Sequence, residues 1–137
     1  MKRILLLTST WLLYFMLFSG YIIASEPGKF TIARLQYGGG GDWYSDPSSI
    51  PNLLRFIDTN TALKTDAREA RVKVEDENLF RYPVLYMTGH GNVRFSKSES
   101  IRLRNYLTSG GFLFADDNYG MDASFRREMK KIFPDKD

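Results

Sequence analysis

The chain has 137 residues, no cysteine, a single histidine and a formal charge of +3. That length fits one domain, and the missing cysteines exclude disulfides, thiolate metal sites and a cysteine nucleophile together. Lys2 and Arg3 supply most of the net charge, so the rest of the chain is near neutral and lacks the basic footprint of a nucleic-acid binder.

An apolar run from Ile4 to Ala24 follows this basic head and gives way to the polar "SEPGKF". That layout is the one a secretory signal uses. The run is also long enough to span a bilayer, which takes about 20 residues. Residues 1–25 are therefore expected to be a signal peptide or an N-terminal membrane anchor, and residues 26–137 the exported domain, periplasmic or tethered outside the cytoplasm. Membrane contact is expected only through residues 4–24, and only if they are retained.

"FTIARLQY" (Phe30 to Tyr37) is β-branched and aromatic and predicts a strand. "YGGGGDWYSDP" then ends it with four successive glycines. A helix follows, capped by Ser48 or Ser49, with Pro51 in its first turn and Ile50, Leu53, Leu54 and Ile57 on one buried face. Arg71 to Val74 predicts a short strand. Val84 to Met87, an unbroken apolar run between Pro83 and Gly89, predicts a strand covered on both faces. Ser96 and Glu99 form a capping box that opens a helix with Leu103, Tyr106 and Leu107 inward, and Gly110 and Gly111 stop it. Phe112 to Ala115 is another apolar strand, ended by "DDNYG". The last helix, capped by Asp122, buries Phe125, Met129, Ile132 and Phe133 and closes at Pro134. Arg126, Arg127, Lys130 and Lys131 form its solvated face.

Strands alternating with helices argue for an α/β fold: a three-layer sandwich with a mostly parallel sheet of about four strands. In such sheets ligands bind beyond the carboxyl ends of the strands. Three polar, glycine-rich segments leave the strands there: "GGGGDWYSD", "TGHGN" and "DDNYG". The predicted ligand-binding rim comprises Gly39, Gly40, Gly41, Asp42, Trp43, Tyr44, His90, Asn92, Asp116, Asp117 and Asn118, with Asp46 beside them. Glycines let the first loop lie against its neighbours or a ligand. The same composition also serves plain turns and helix caps.

His90, Asp42 and Asp117 are the candidate catalytic residues, with His90 as proton carrier, metal ligand or hydrogen-bond partner. Asp116 and Asp117, being adjacent in a strand, point to opposite faces. Trp43, Tyr44 and Tyr119 form either a stacking platform for a sugar or ring, or rim packing. The chain lacks the phosphate loop G-x-x-x-x-G-K-[ST], the dinucleotide fingerprint G-x-G-x-x-G and the nucleophile elbow G-x-S-x-G. A hydrolase built on Ser45 or Ser48 with His90 has no motif behind it. No cofactor is expected, although the oxygen-rich set would suit a hard divalent metal ion.

"RLQYGGGGDWYSDPSSIPNLLRFI", "LFRYPVLYMTGHGNVRFSKSESIRLRNYL" and "GGFLFADDNYG" with "SFRREMKKIFP" resemble a bacterial family catalogued as domain of unknown function 4159. The resemblance runs from Phe30 to Pro134. It implies a flavodoxin-type sandwich like that of the class I glutamine amidotransferases. It also implies a chain truncated at its C-terminus, because family members run on past "IFP", and it leaves the last strand with an unpaired edge. Those amidotransferases use a cysteine, so glutaminase activity is not expected here. The functional expectation is an exported cell-envelope domain that binds a ligand or protein at the rim without catalysis. The alternative is a metal-assisted or His/Asp-dependent hydrolase acting on an envelope sugar or amide.

Overall fold

A computed structural model of the chain describes residues 28–136. The leader predicted over residues 1–25 lies outside the described residues. Within them, no helix is long and apolar enough to cross a membrane.

Four strands form one sheet: β1 (Ile32–Leu35), β2 (Ala70–Val72), β3 (Val84–His90) and β4 (Phe112–Tyr119). Among the described residues three α-helices accompany them: α1 (Ser49–Asn60), α2 (Lys97–Thr108) and α3 (Asp122–Ile132), with a 3₁₀ turn over Glu77–Arg81 that periodicity did not signal. Every pairing is parallel and the strand order is β2-β1-β3-β4. β1 is buried along its whole length, because both its faces are covered. On one face Ile32 and Tyr86 pack with Ile50 and Leu54 of α1. On the other, Ala33, Leu35, Leu85 and Met87 pack with Leu103 and Tyr106 of α2 and Ile132 of α3.

The strand order reverses between β1 and β3. The chain leaves β1 toward β2 on one side and returns to build β3 and β4 on the other, so the carboxyl ends of β1 and β3 flank the sheet's switch point. The glycine loop and "GHGN" leave the sheet at that point.

Several element boundaries differ from the sequence reading. β1 is shorter than Phe30–Tyr37; Phe30 makes only an isolated bridge to Thr65, and Gly38 bridges to Arg94. β3 and β4 are longer. The polar "DDNY" continues the ladder rather than ending it, up to the pairing of His90 with Tyr119 past an irregularity at Gly89/His90. β4 is an edge strand, and Phe112 and Phe114 remain exposed rather than covered on both faces, although Phe114 stacks on Tyr86. Leu53 also remains exposed, because it lies at the margin of the α1 stripe. Ser48 makes no side-chain cap on α1; the Asp46 carbonyl takes the Ser49 N–H and hydroxyl instead.

The capping box of Ser96 and Glu99 forms as expected. Asp122 does not cap α3 but pairs with Arg126 one turn on, at 2.8 Å. The deepest row of α3 is Ser124, Glu128 and Ile132, whereas Phe125, Met129 and Phe133 are only half-buried.

Candidate functional site

The glycine loop and the segment after β3 are zipped together by their backbones. Arg94 N–H donates to the Gly38 carbonyl at 2.8 Å, and Gly41 N–H to the Asn92 carbonyl at 3.2 Å. The Asn92 side-chain amide donates to the Gly39 carbonyl at 3.1 Å. Such close approach explains two glycines. Gly39 has φ +108°, and a Cβ there would lie 2.8 Å from Arg94 N and 2.9 Å from Asn92 O. Gly89 has φ +139°, and a Cβ there would meet the Tyr37 hydroxyl and the Asp42 carboxylate. Gly41 lies against the Tyr37 ring, while the space beside Gly40 is open. The glycine run thus serves first to seat one loop on another.

Asp42 and His90 meet across this seam. The Asp42 carboxylate accepts the His90 backbone N–H on Oδ1, and His90 Nδ1 lies 2.9 Å from Oδ2. The backbone hydrogen bond from His90, followed by that from its imidazole, holds the Asp42 carboxyl below its ordinary pKa. An ionised carboxylate only accepts, so Nδ1 carries a proton toward Asp42 and Nε2 is the ring nitrogen that faces away from the pair. Nε2 has no hydrogen-bond partner among the described residues, and the imidazole is 56% exposed.

The other predicted rim residues divide by role. Asp117 turns toward α3 and accepts the N–H groups of Met121 (2.9 Å) and Asp122 (3.0 Å), so it caps that helix from a distance. Asp116, on the opposite face, accepts the Tyr86 hydroxyl at 2.7 Å. Burial, followed by this bond to a carboxylate, raises the Tyr86 pKa. Asn118 ties β4 to the first loop through Asp46 Oδ2 (2.6 Å) and Ser45 Oγ (3.0 Å). Asn92 also accepts from Arg127 at 2.9 Å. Trp43 packs half-buried against the core and meets Tyr44 edge-on at 5.5 Å. Tyr44 and Tyr119 stand exposed. Arg127 and Lys131 are not a merely solvated face, because both reach back to Glu128.

Four residues that hold this rim escaped the sequence reading. Arg34 is fully buried in β1. Its guanidinium pairs with Glu69 at 2.9–3.0 Å and donates to the carbonyls of Ser45 (2.8 Å) and Asp46 (3.1 Å). It thereby holds the first loop from below and fixes Asp46 in a left-handed conformation at φ 49°. Tyr37 donates its hydroxyl to the Thr88 carbonyl at 3.0 Å. Burial, with the nearby charges of Asp42 and Asp117, pushes its pKa up to about 12. Glu128 accepts the Phe95 N–H at 2.9 Å inside the protein. Burial pushes its carboxyl up, but Lys131, the Phe95 N–H and Arg127 outweigh burial and leave it below the ordinary value. The available signals were an arginine inside a predicted strand rich in β-branched and aromatic residues, and a carboxylate at helical spacing from an inward row. Each demanded a buried partner.

No group of three or more His, Asp or Glu side chains among the described residues is arranged to hold a metal ion. A family model described as "Domain of unknown function (DUF4159)" matches residues 31–137. No curated protein matches the chain.

Proposed function

The chain belongs to the DUF4159 family, whose description assigns no activity, and from the rim geometry we propose an exported cell-envelope domain that binds a ligand or a partner protein without catalysis. The single observation that carries this reading is the imidazole of His90, fixed by Asp42 yet open at Nε2, beside the switch point of the sheet. Tyr119 is its cross-strand partner and stands exposed, and a second exposed ring, Tyr44, lies on the same loop as Asp42. Most other polar rim groups are already engaged in holding loops and helix ends. The basic head and the apolar run from Ile4 to Ala24 support export. The strand order supports a flavodoxin-like sheet, since it matches the first four positions of that order. The likeness to the class I glutamine amidotransferase sandwich rests on the same layering. Binding at this rim requires no cofactor.

The test is a titration of the His90 ring resonances with fractionated envelope sugars and envelope proteins. One fraction is expected to shift them, with affinity falling at least tenfold in His90→Ala. A fraction that binds equally well to His90→Ala overturns the assignment.

The Asp42–His90 pair also favours a second reading, a His/Asp-dependent hydrolase of an envelope sugar or amide. Asp42 would orient the ring, and Nε2 would take a proton from an attacking water. Release of product from the bound fraction, lost in Asp42→Asn while binding persists, would select this reading. Binding without turnover would select the first.

A further inference from the structure

Helix α3 sets its deepest row on Ser124, Glu128 and Ile132, so its apolar stripe of Phe125, Met129 and Phe133 is turned partly to the surface. The stripe lines a groove of about 350 Å³ with Arg126, Lys130 and Lys136. That volume falls at the low end of the range for ligand sites. The cations are distributed unevenly around the helix. Arg127 and Lys131 neutralise Glu128 on the inner side. On the groove side Arg126 pairs with Asp122, while Lys130 and Lys136 form no ion pair among the described residues. Lys136 instead places its ammonium 5.2 Å from the centre of the Phe133 ring, across the apolar lining.

We propose that this groove docks an acidic amphipathic segment of a partner protein, which seats an apolar side chain between Met129 and Phe133 and brings carboxylates to Lys130 and Lys136. An apolar helical stripe left at the surface with cations at its rim matches the helix-in-groove mode of recognition. Charge selects the occupant. The leader of this chain brings Lys2 and Arg3, which have the wrong sign. A second copy docking by the same face would set its own Arg126, Lys130 and Lys136 against these. The proposal goes beyond the rim reading and does not depend on it.

The probe is a fluorescent helical peptide with leucines four apart flanked by glutamates, measured by anisotropy against the full chain. Its control is the same peptide with lysines in place of the glutamates. The glutamate peptide is expected to bind at least tenfold more tightly than the control, to weaken with added salt, and to lose at least tenfold in Lys130→Glu. Lys130 is exposed, so that variant keeps the fold, which an unchanged melting curve checks. Equal binding of the two peptides, or no effect of Lys130→Glu, overturns the proposal. It is equally overturned if anionic phosphatidylglycerol vesicles bind while the peptide does not, or if the chain dimerises through this face, as a sedimentation change in Lys130→Glu would reveal.

Discussion

Two side-chain pairs hold the first loop, and they belong to different kinds of chemistry. Arg34 and Glu69 are 1% and 7% exposed, beneath the loop. His90 and Asp42 are 56% and 31% exposed, above it. The lower pair is surrounded by carbonyls that consume the remaining guanidinium donors, so it has nothing left to offer a ligand. The upper pair leaves a ring nitrogen open. A pair that has spent every donor inside the protein fixes a shape, whereas a ring held by a single edge presents a group to whatever arrives.

The largest expected effect of this contrast is on stability. Glu69→Ala leaves the Arg34 charge buried without its partner, a loss of about 3–5 kcal/mol. For a domain of this size that corresponds to a fall in Tm of more than about 10 °C. Glu69→Gln keeps an acceptor and should fall less. His90→Ala removes an exposed ring and should shift the melting curve far less than either. Melting curves of the three variants check the order. An equal fall for Glu69→Ala and His90→Ala would mean that both pairs are structural, and the open-ring reading of the rim would go with it.

A smaller effect separates two adjacent glycines. Gly39 has a positive φ and a crowded site; Gly40 has a positive φ and open space. Gly39→Ala must therefore push Arg94 and Asn92 away as well as strain the backbone, at a cost of about 1–3 kcal/mol. Gly40→Ala carries only the backbone strain, about 1 kcal/mol. Denaturant unfolding of the pair measures the difference. Amide exchange at Arg94, whose N–H bonds to Gly38, should speed up in Gly39→Ala and stay slow in Gly40→Ala. If the two variants respond alike, the seam between the loops does not depend on close approach.

The sequence disclosed the layering because local signals agreed with it: apolar runs in β1, β3 and β4, the Ser96–Glu99 box, and glycines after α2. It also brought Asp42 and His90 to one edge, through nothing more than the rule that strand ends share a rim. What it could not disclose was which polar groups are already spoken for. Asp116, Asp117, Asn92 and Asn118 look alike as letters. Only their partners (a phenol, a helix end, a loop carbonyl, another loop's aspartate) show that they hold structure. Glu128 and Arg34 were hidden for the converse reason. Charged residues are ordinarily solvated, and each is tolerated inside only because cations or carbonyls from distant segments converge on it. The misread phase of α3 has the same origin. Periodicity chose the four large apolar residues, while the buried hydrogen bonds of Ser124 and Glu128 to the 91–95 segment rotated the helix one step round.

The smallest expected effect tests the floor beneath the Asp42–His90 pair. Tyr37 lies under Gly41 and Gly89, donates to the Thr88 carbonyl, and ionises only at about 12 rather than 10.0. Burial is the main cause, with Asp42 and Asp117 opposing a second negative charge. An unfolded chain loses this proton first. Between the two values the folded state therefore holds more protons, and stability falls as pH rises. The contribution is whole below pH 10.0 and gone once the pH has passed about 12. Tyr86 and Tyr106 are also raised, and they add to the same alkaline loss. Tyr37→Phe isolates one share of it. Near neutral pH the variant should be about 1 kcal/mol less stable, for want of the hydrogen bond to Thr88. As the pH climbs through that window the gap to the parent should narrow, because phenylalanine has no proton to lose. Denaturant midpoints across the alkaline range measure this. A gap of constant size would mean that the Tyr37 phenol ionises equally readily in both states, and that the seam above it admits water to its floor.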